Sequence, residues 1–183
     1  MMSANSSSIE QYLRPGRRAH LVGIGGVSMR PLGLVLRSMG MEITGSDMNA
    51  SVATEELQRS GITVYIGHRE ENIEGADCVI RTAAAHNDNP EIAAARAAGI
   101  PIFERAQAWG HLMRSYKNAI CVAGTHGKTT TTSMLTHIFM QAQRDPTVMI
   151  GGSLPLLGAG HRVGRGDTII LESCEYCNSF LNF

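Results

Sequence analysis

From residue 19 onward, short apolar runs rich in β-branched residues alternate with longer stretches that carry helix punctuation. The runs at 19–24, 41–44, 62–66, 78–81 and 100–103 read as strands, and 31–39, 52–60 and 90–98 as helices between them. Ser51 stands where it can cap the second helix, and Gly61 where a left-handed residue ends it. Asn89 followed by Pro90 gives a cap and first turn to the third helix, and Gly99 closes it. Strand–helix alternation of this kind predicts an α/β fold with a parallel, Rossmann-like sheet.

A second unit is expected to begin between Met113 and Asn118, which sets domain limits of 18–115 and 116–183. Its strand candidates are 118–123, 147–150 and 168–172, the last two joined by a glycine-rich loop. A helix is predicted over 128–141, with Met134, Leu135, Ile138 and Phe139 on one apolar face. This unit has about 65 residues, fewer than an ordinary open α/β sheet takes, and so reads as the truncated start of a P-loop ATPase-like central domain.

The densest chemistry lies between the strand at 118–123 and its helix, in Ala123-Gly124-Thr125-His126-Gly127-Lys128-Thr129-Thr130. Glycines let backbone N–H groups turn inward, and a helix N-terminus adds unsatisfied donors and a positive dipole. Such a loop suits the phosphates of ATP, with Lys128 reaching the terminal phosphates and the Thr129 hydroxyl on Mg²⁺. Val122 stands where the usual pattern has its first glycine, so the loop is a tighter G-x-x-G-K-T form. The plain alternative is a glycine turn that happens to precede a lysine.

The run Ile169-Ile170-Leu171-Glu172 delivers a carboxylate at a strand's C-terminal end, the edge where α/β sheets bind ligands. Glu172 is thereby a candidate ligand for the Mg²⁺ held by Thr129, or else a solvated strand end. Glu175 is a further candidate for the metal or its waters. Cys174 and Cys177 form a C-x-x-C with no second pair to complete a zinc site and no βαβ context for redox chemistry, so the spacing is coincidental.

Near the N-terminus, Gly23-Ile24-Gly25-Gly26-Val27-Ser28-Met29 follows the first strand and approximates G-x-G-x-x-G. Asp47 follows the second strand at the place of a ribose-binding acid. On these residues a dinucleotide-binding dehydrogenase domain and a simple tight turn both remain open.

Charge and composition narrow the class. Lys and Arg number 16 and Asp and Glu 16, so no basic field draws a nucleic acid, and anions must be held by local geometry. No apolar run approaches the ~18 residues of a membrane span. The stretch 1–17, Ser-rich from Met1 to Ser8, reads as a disordered tail without a secretory signal. Cys78 and Cys121 sit in apolar runs as small hydrophobes, which suits a cytoplasmic protein with reduced thiols. His68, His111, His137 and His161 lack metal-ligand spacing and read as structural or solvent-facing. Most of the ten methionines, Met29, Met134 and Met140 among them, read as core filler, and Trp109 with Leu112 and Met113 as packing near the junction.

The segments G-T-H-G-K-T-T-T-T (124–132), G-I-G-G-V-S-M (23–29), T-G-S-D (44–47) and T-A-A-A-H-N-D-N-P-E (82–91) together resemble the Mur ligases, most closely their alanine-adding branch. The resemblance runs from about residue 18 to 183. It implies an ATP-dependent ligase in which a carboxylate is phosphorylated and an amine then attacks the acyl phosphate. It implies UDP-N-acetylmuramate in the first domain, bound in part at Gly23, with backbone donors from Gly25, Gly26, Val27 and Ser28 to the diphosphate. Ser46, Asp47 and Thr82, Ala83 and Ala84 would lie near the uridine and sugar, and His86 would line the cleft or cap a turn. L-Alanine is the implied amine donor. Two other readings stay open: a recycling ligase that attaches a whole peptide to the same sugar nucleotide, and a nucleotide-binding regulatory module without ligase chemistry.

Overall fold

In the computed structural model, residues 8–173 are described. The chain divides into two compact units between Ala108 and Trp109. The division falls inside a helix with no cap signal in the sequence, Arg105–Met113, ahead of the 113–118 stretch that composition suggested.

The first unit is built on strands β1 (Arg18–Val22), β2 (Glu42–Asp47), β3 (Thr63–Ile66), β4 (Cys78–Arg81) and β5 (Ile102–Glu104). All pair in parallel, in the order β3-β2-β1-β4-β5. Helices α1 (Met29–Ser38), α2 (Val52–Arg59) and α3 (Pro90–Ala97) make the crossovers within each half. Right-handed crossovers then put α1 and α2 on the face opposite α3. The chain reverses direction across the sheet between β1 and β4, which opens a crevice at their C-terminal ends.

Local chemistry sets the helix ends as expected. Ser51 and Thr54 form a reciprocal capping box on α2, and Gly61 takes φ +82° beyond it. The Asn89 side chain accepts from the N–H groups of Glu91 and Ile92 at the start of α3. Ile92 and Ala95 then bury against Val22 and Val79.

Residues 8–17 depart from the expected disordered tail. Leu13 is buried, and the Tyr12 ring lies 5.8 Å from that of Phe103. Two apolar side chains anchor a segment whose preceding serines suggested disorder.

After α4 (Arg105–Met113), inside which the division falls, the second unit continues with β6 (Asn118–Val122), α5 (Lys128–Gln141), β7 (Thr147–Leu154), β8 (Ala159–Arg162) and β9 (Thr168–Glu172). The sheet order is β6-β9-β7-β8, parallel except for the antiparallel β7–β8 pair. The predicted glycine-rich loop is thus largely a hairpin. It turns through a 3₁₀ segment, Pro155–Leu157, that ends on the left-handed Gly158 (φ +64°), and glycines hid the strand pattern on either side.

Helix α5 buries a different face from the one its apolar residues predicted. Leu135 and Phe139 pack on Val148, Ile150 and Ile170, but Met134 and Ile138 are 61% and 62% exposed. Thr132 and Thr136 take the buried positions instead. Each hydroxyl donates to the carbonyl four residues back, so its polarity is satisfied without water.

Candidate functional site

The crevice at the β1–β4 switch point is a cleft of about 700 Å³. Gly23, Asp47, Thr82, Ala84 and His86 line it, together with His68. Ala83 faces an adjoining cleft of about 450 Å³ that also touches His86. Gly23 has φ +79°, and a Cβ there would stand 2.8 Å from Thr82 Cγ2, so the two strand ends meet only because this residue is glycine.

The glycine loop is already partly engaged. Gly23 and Ile24 both donate to the Ser46 carbonyl, and Gly26 donates to the Gly23 carbonyl. Gly25 N–H donates to Asp47 Oδ2 at 2.9 Å, so a carboxylate of the protein stands where a ligand anion was expected. The exposed Val27 N–H has no partner among the described residues. Arg30, just inside α1, is held by Glu56 of α2 at 2.7 Å and turns from the loop.

Ser46 does not reach the cleft. It is fully buried, and its hydroxyl donates to Glu91 Oε2 at 2.6 Å. Glu91 is itself fully buried at the start of α3, where the helix dipole favours negative charge. Asn72 donates to its Oε1 at 2.6 Å, His68 Nδ1 lies 3.0 Å from Oε2, and His20 Nε2 faces it from 3.6 Å. Burial alone would push this carboxyl up, but the facing His20 ring and the donors of Ser46 and Asn72 outweigh it and hold it at about 2. The sequence reading missed this cluster. The available signal was position: His68 follows directly on β3, at the ligand-binding edge of the sheet.

In the second unit, Lys128 and Thr129 open α5 directly after the loop. The Lys128 ammonium donates to the Gly124 carbonyl at 2.6 Å, which holds it over the loop it closes. Thr125, His126, Gly127 and Thr130 are exposed around it. Thr129 Oγ1 donates to Glu172 Oε1 at 2.9 Å, and Gly151 N–H donates to Glu172 Oε2 at 2.7 Å. The parallel pairing of β6 with β9, Val122 against Glu172, brings loop and carboxylate to one sheet edge. A Cβ at Gly151 would come within 2.8 Å of Glu172, so β7 admits the carboxylate only at a glycine. This hard-oxygen donor set suits Mg²⁺.

Glu175, Cys174 and Cys177 lie outside the described residues. Cys78 is buried, and burial pushes its thiol up to about 12, which makes it an inert core residue. Among the described residues no three His, Cys, Asp or Glu side chains cluster as a preformed metal site, and no helix is long and apolar enough to cross a membrane.

The family model described as Mur ligase family, catalytic domain, matches residues 18–117. The chain belongs to the Mur ligase family. That match spans the first glycine loop and favours the ligase reading of it over a dehydrogenase. UDP-N-acetylmuramate–L-alanine ligase of Clostridium botulinum (strain Hall) is 47% identical over 91% of this chain, and the enzyme of the same name from Acetivibrio thermocellus is 46% identical over 91%. The chain spans 36% of the length of each of these Mur ligases. Among solved structures, UDP-N-acetylmuramate-alanine ligase of Thermotoga maritima matches 85% of this chain and 37% of its own, at 35% identity and a TM-score of 0.77. A murein peptide ligase of Psychrobacter arcticus matches 92% of this chain and 41% of its own, at 26% identity and a TM-score of 0.82.

Proposed function

We propose that this chain supplies the sugar-nucleotide cleft and the phosphate loop of an ATP-dependent ligase that joins L-alanine to the carboxylate of UDP-N-acetylmuramate, in the cytoplasm. The observation that carries the reading is the meeting of Thr129 and Glu172 beside Lys128, the minimum set for ATP with Mg²⁺. In the first step a carboxylate oxygen of the sugar nucleotide bonds to the γ-phosphorus as the bond to ADP breaks. The amine then attacks the acyl carbon, phosphate leaves, and the amine loses a proton. Lys128 offsets charge on the transferring phosphoryl group, and Thr129 and Glu172 would hold Mg²⁺, which when bound neutralises the phosphate oxygens. In the first unit, Val27 and Ser28 are assigned to the diphosphate, the glycines to its close approach to the loop, and Asp47, Thr82, Ala83, Ala84 and His86 to the uridine and sugar. Glu175 is assigned to the metal's surroundings.

Titration of the chain with UDP-N-acetylmuramate, ATP with Mg²⁺, and NADH tests the two sites; tighter binding of NADH than of the sugar nucleotide would overturn the reading. A hybrid with residues 1–183 in place of the corresponding segment of the Acetivibrio thermocellus ligase tests the reaction by alanine-dependent phosphate release. A recycling ligase that takes a peptide is the second reading, supported by the TM-score of 0.82 to the murein peptide ligase. The identity of 47% to the alanine-adding relatives, against 26% to that enzyme, favours alanine.

A further inference from the structure

The mechanism above leaves unused a buried carboxylate of the first unit that three side chains contact. Glu91 is a fully buried carboxylate with Ser46, Asn72 and His68 around it; Ser46, expected near the sugar nucleotide, is turned to Glu91 instead. An ionised carboxylate only accepts hydrogen bonds. Ser46 has one proton, and at 2.6 Å it goes to Glu91 Oε2. His68 Nδ1 lies 3.0 Å from that same oxygen and 3.0 Å from Ser46 Oγ, whose proton is already given to Glu91, so Nδ1 carries a proton as well. With Nδ1 protonated, the neutral ring has its lone pair on Nε2. His68 lines the 700 Å³ cleft, its side chain is 14% exposed, and no described residue bonds its Nε2.

We propose that Glu91 is a positioning residue that locks His68 in the Nδ1–H tautomer, so that Nε2 faces the cleft as an acceptor for an N–H or O–H donor of the ligand's nucleoside. This rests on the sugar-nucleotide reading of the cleft and deepens it. Phosphate oxygens carry no proton at neutral pH and would meet the Nε2 lone pair unfavourably, so the diphosphate belongs on the glycine-loop side. A uracil imide N–H and a ribose hydroxyl both match the acceptor. Asp47, a second acceptor lining the same cleft, favours the same class of donor. Second-layer carboxylates that fix an imidazole in this way are a common device where its tautomer matters.

The orientation of Asn72 makes the proposal sharp. Asn72 Nδ2 donates both to Glu91 Oε1 and to the Gly67 carbonyl, so it stays a donor. In Glu91→Gln the new amide oxygen therefore turns to Asn72 and its NH₂ faces Ser46 and His68. Nδ1 of His68 then accepts, the proton moves to Nε2, and the cleft is offered a donor instead of an acceptor.

Two measurements on the chain decide the matter. Long-range ¹⁵N–¹H spectra of the histidine rings report the tautomer without any ligand. The expected result is Nδ1–H for His68 in the unsubstituted chain and Nε2–H in Glu91→Gln; Nε2–H in the unsubstituted chain would overturn the proposal. The second measurement is calorimetric titration with UDP, N3-methyl-UDP and 2′-deoxy-UDP. His68→Asn keeps an N–H for Glu91 and lacks Nε2, so it should bind UDP roughly three- to tenfold more weakly, the value of one neutral hydrogen bond. One of the two analogues should bind the unsubstituted chain more weakly than UDP does, and lose that deficit in His68→Asn; which one does so identifies imide or hydroxyl as the donor. A purely structural histidine predicts the reverse, UDP affinity unchanged in His68→Asn, and that outcome sinks the inference alone. If the unsubstituted chain binds no UDP, the sugar-nucleotide reading itself falls and this one with it, while the tautomer spectra still judge the Glu91–His68 lock.

Discussion

Thr129 Oγ1 lies 2.9 Å from Glu172 Oε1, a bond across 43 positions of sequence that ties the first turn of α5 to the last residue of β9. The hydroxyl donates, so the pair is an oxygen couple held in readiness for a cation that would replace the shared proton contact. Glu172→Gln keeps the shape and removes the charge. In that variant Mg²⁺ should no longer strengthen ATP binding to the chain, whereas ATP without metal should bind about as before. Calorimetry with and without Mg²⁺ checks this; an undiminished metal effect would remove Glu172 from the site.

Gly151→Ala should act on the same site from a different strand. Its Cβ would need space already held by the Glu172 carboxylate, 2.8 Å away. A flexible carboxylate yields before the backbone does, so Glu172 swings off Thr129. The expected result is loss of the Mg²⁺ effect with little change in melting temperature, and the opposite pattern would mean that β7 moves instead.

Lys128→Ala should weaken ATP binding roughly ten- to hundredfold, the range for losing a charge-assisted contact. UDP-N-acetylmuramate binding should be unaffected, because the cleft proposed for it belongs to the other unit. Parallel titrations of both ligands test the separation, which fails if the two affinities fall together.

Gly23→Ala should destabilise the first unit by roughly 1–2 kcal/mol through its left-handed φ alone, lowering Tm by roughly 4–16 °C. Contact with Thr82 Cγ2 adds to that cost. Thr82→Ser removes this methyl and should recover the steric part but not the backbone part. Full recovery in the double variant would show that φ at residue 23 carries no strain.

Glu91 links stability to pH with a definite sign. Its carboxyl is held at about 2 in the fold against an ordinary value of 4.5. The stabilisation is therefore complete above about pH 4.5 and is lost as pH falls through 2, on the order of 3 kcal/mol in all. Urea unfolding followed by circular dichroism should show Glu91→Gln less stable at neutral pH, with a shallower loss on acidification. An acid limb as steep as that of the unsubstituted chain would assign the effect to other carboxylates.

Much of this protein was legible in order along the chain. The strand–helix alternation, the Ser51 and Asn89 caps and the G-x-x-G-K-T loop are local, and backbone preferences over a few residues decide them. What sequence could not decide were relations between distant residues. The register of β6 against β9 sets Glu172 beside Thr129, and the packing of α3 turns Glu91 inward. Apolar periodicity put Met134 and Ile138 in the core, yet Thr132 and Thr136 are buried because each satisfies its own hydroxyl within the helix. His68 read only as a structural or solvent-facing histidine, since nothing near it in sequence announces Glu91, 23 positions away. Local conformational preference is written into neighbouring residues. The cost of burying a charge on α3 is met only when donors from β2 and from the segment after β3 converge on it, and that convergence exists only in the folded chain.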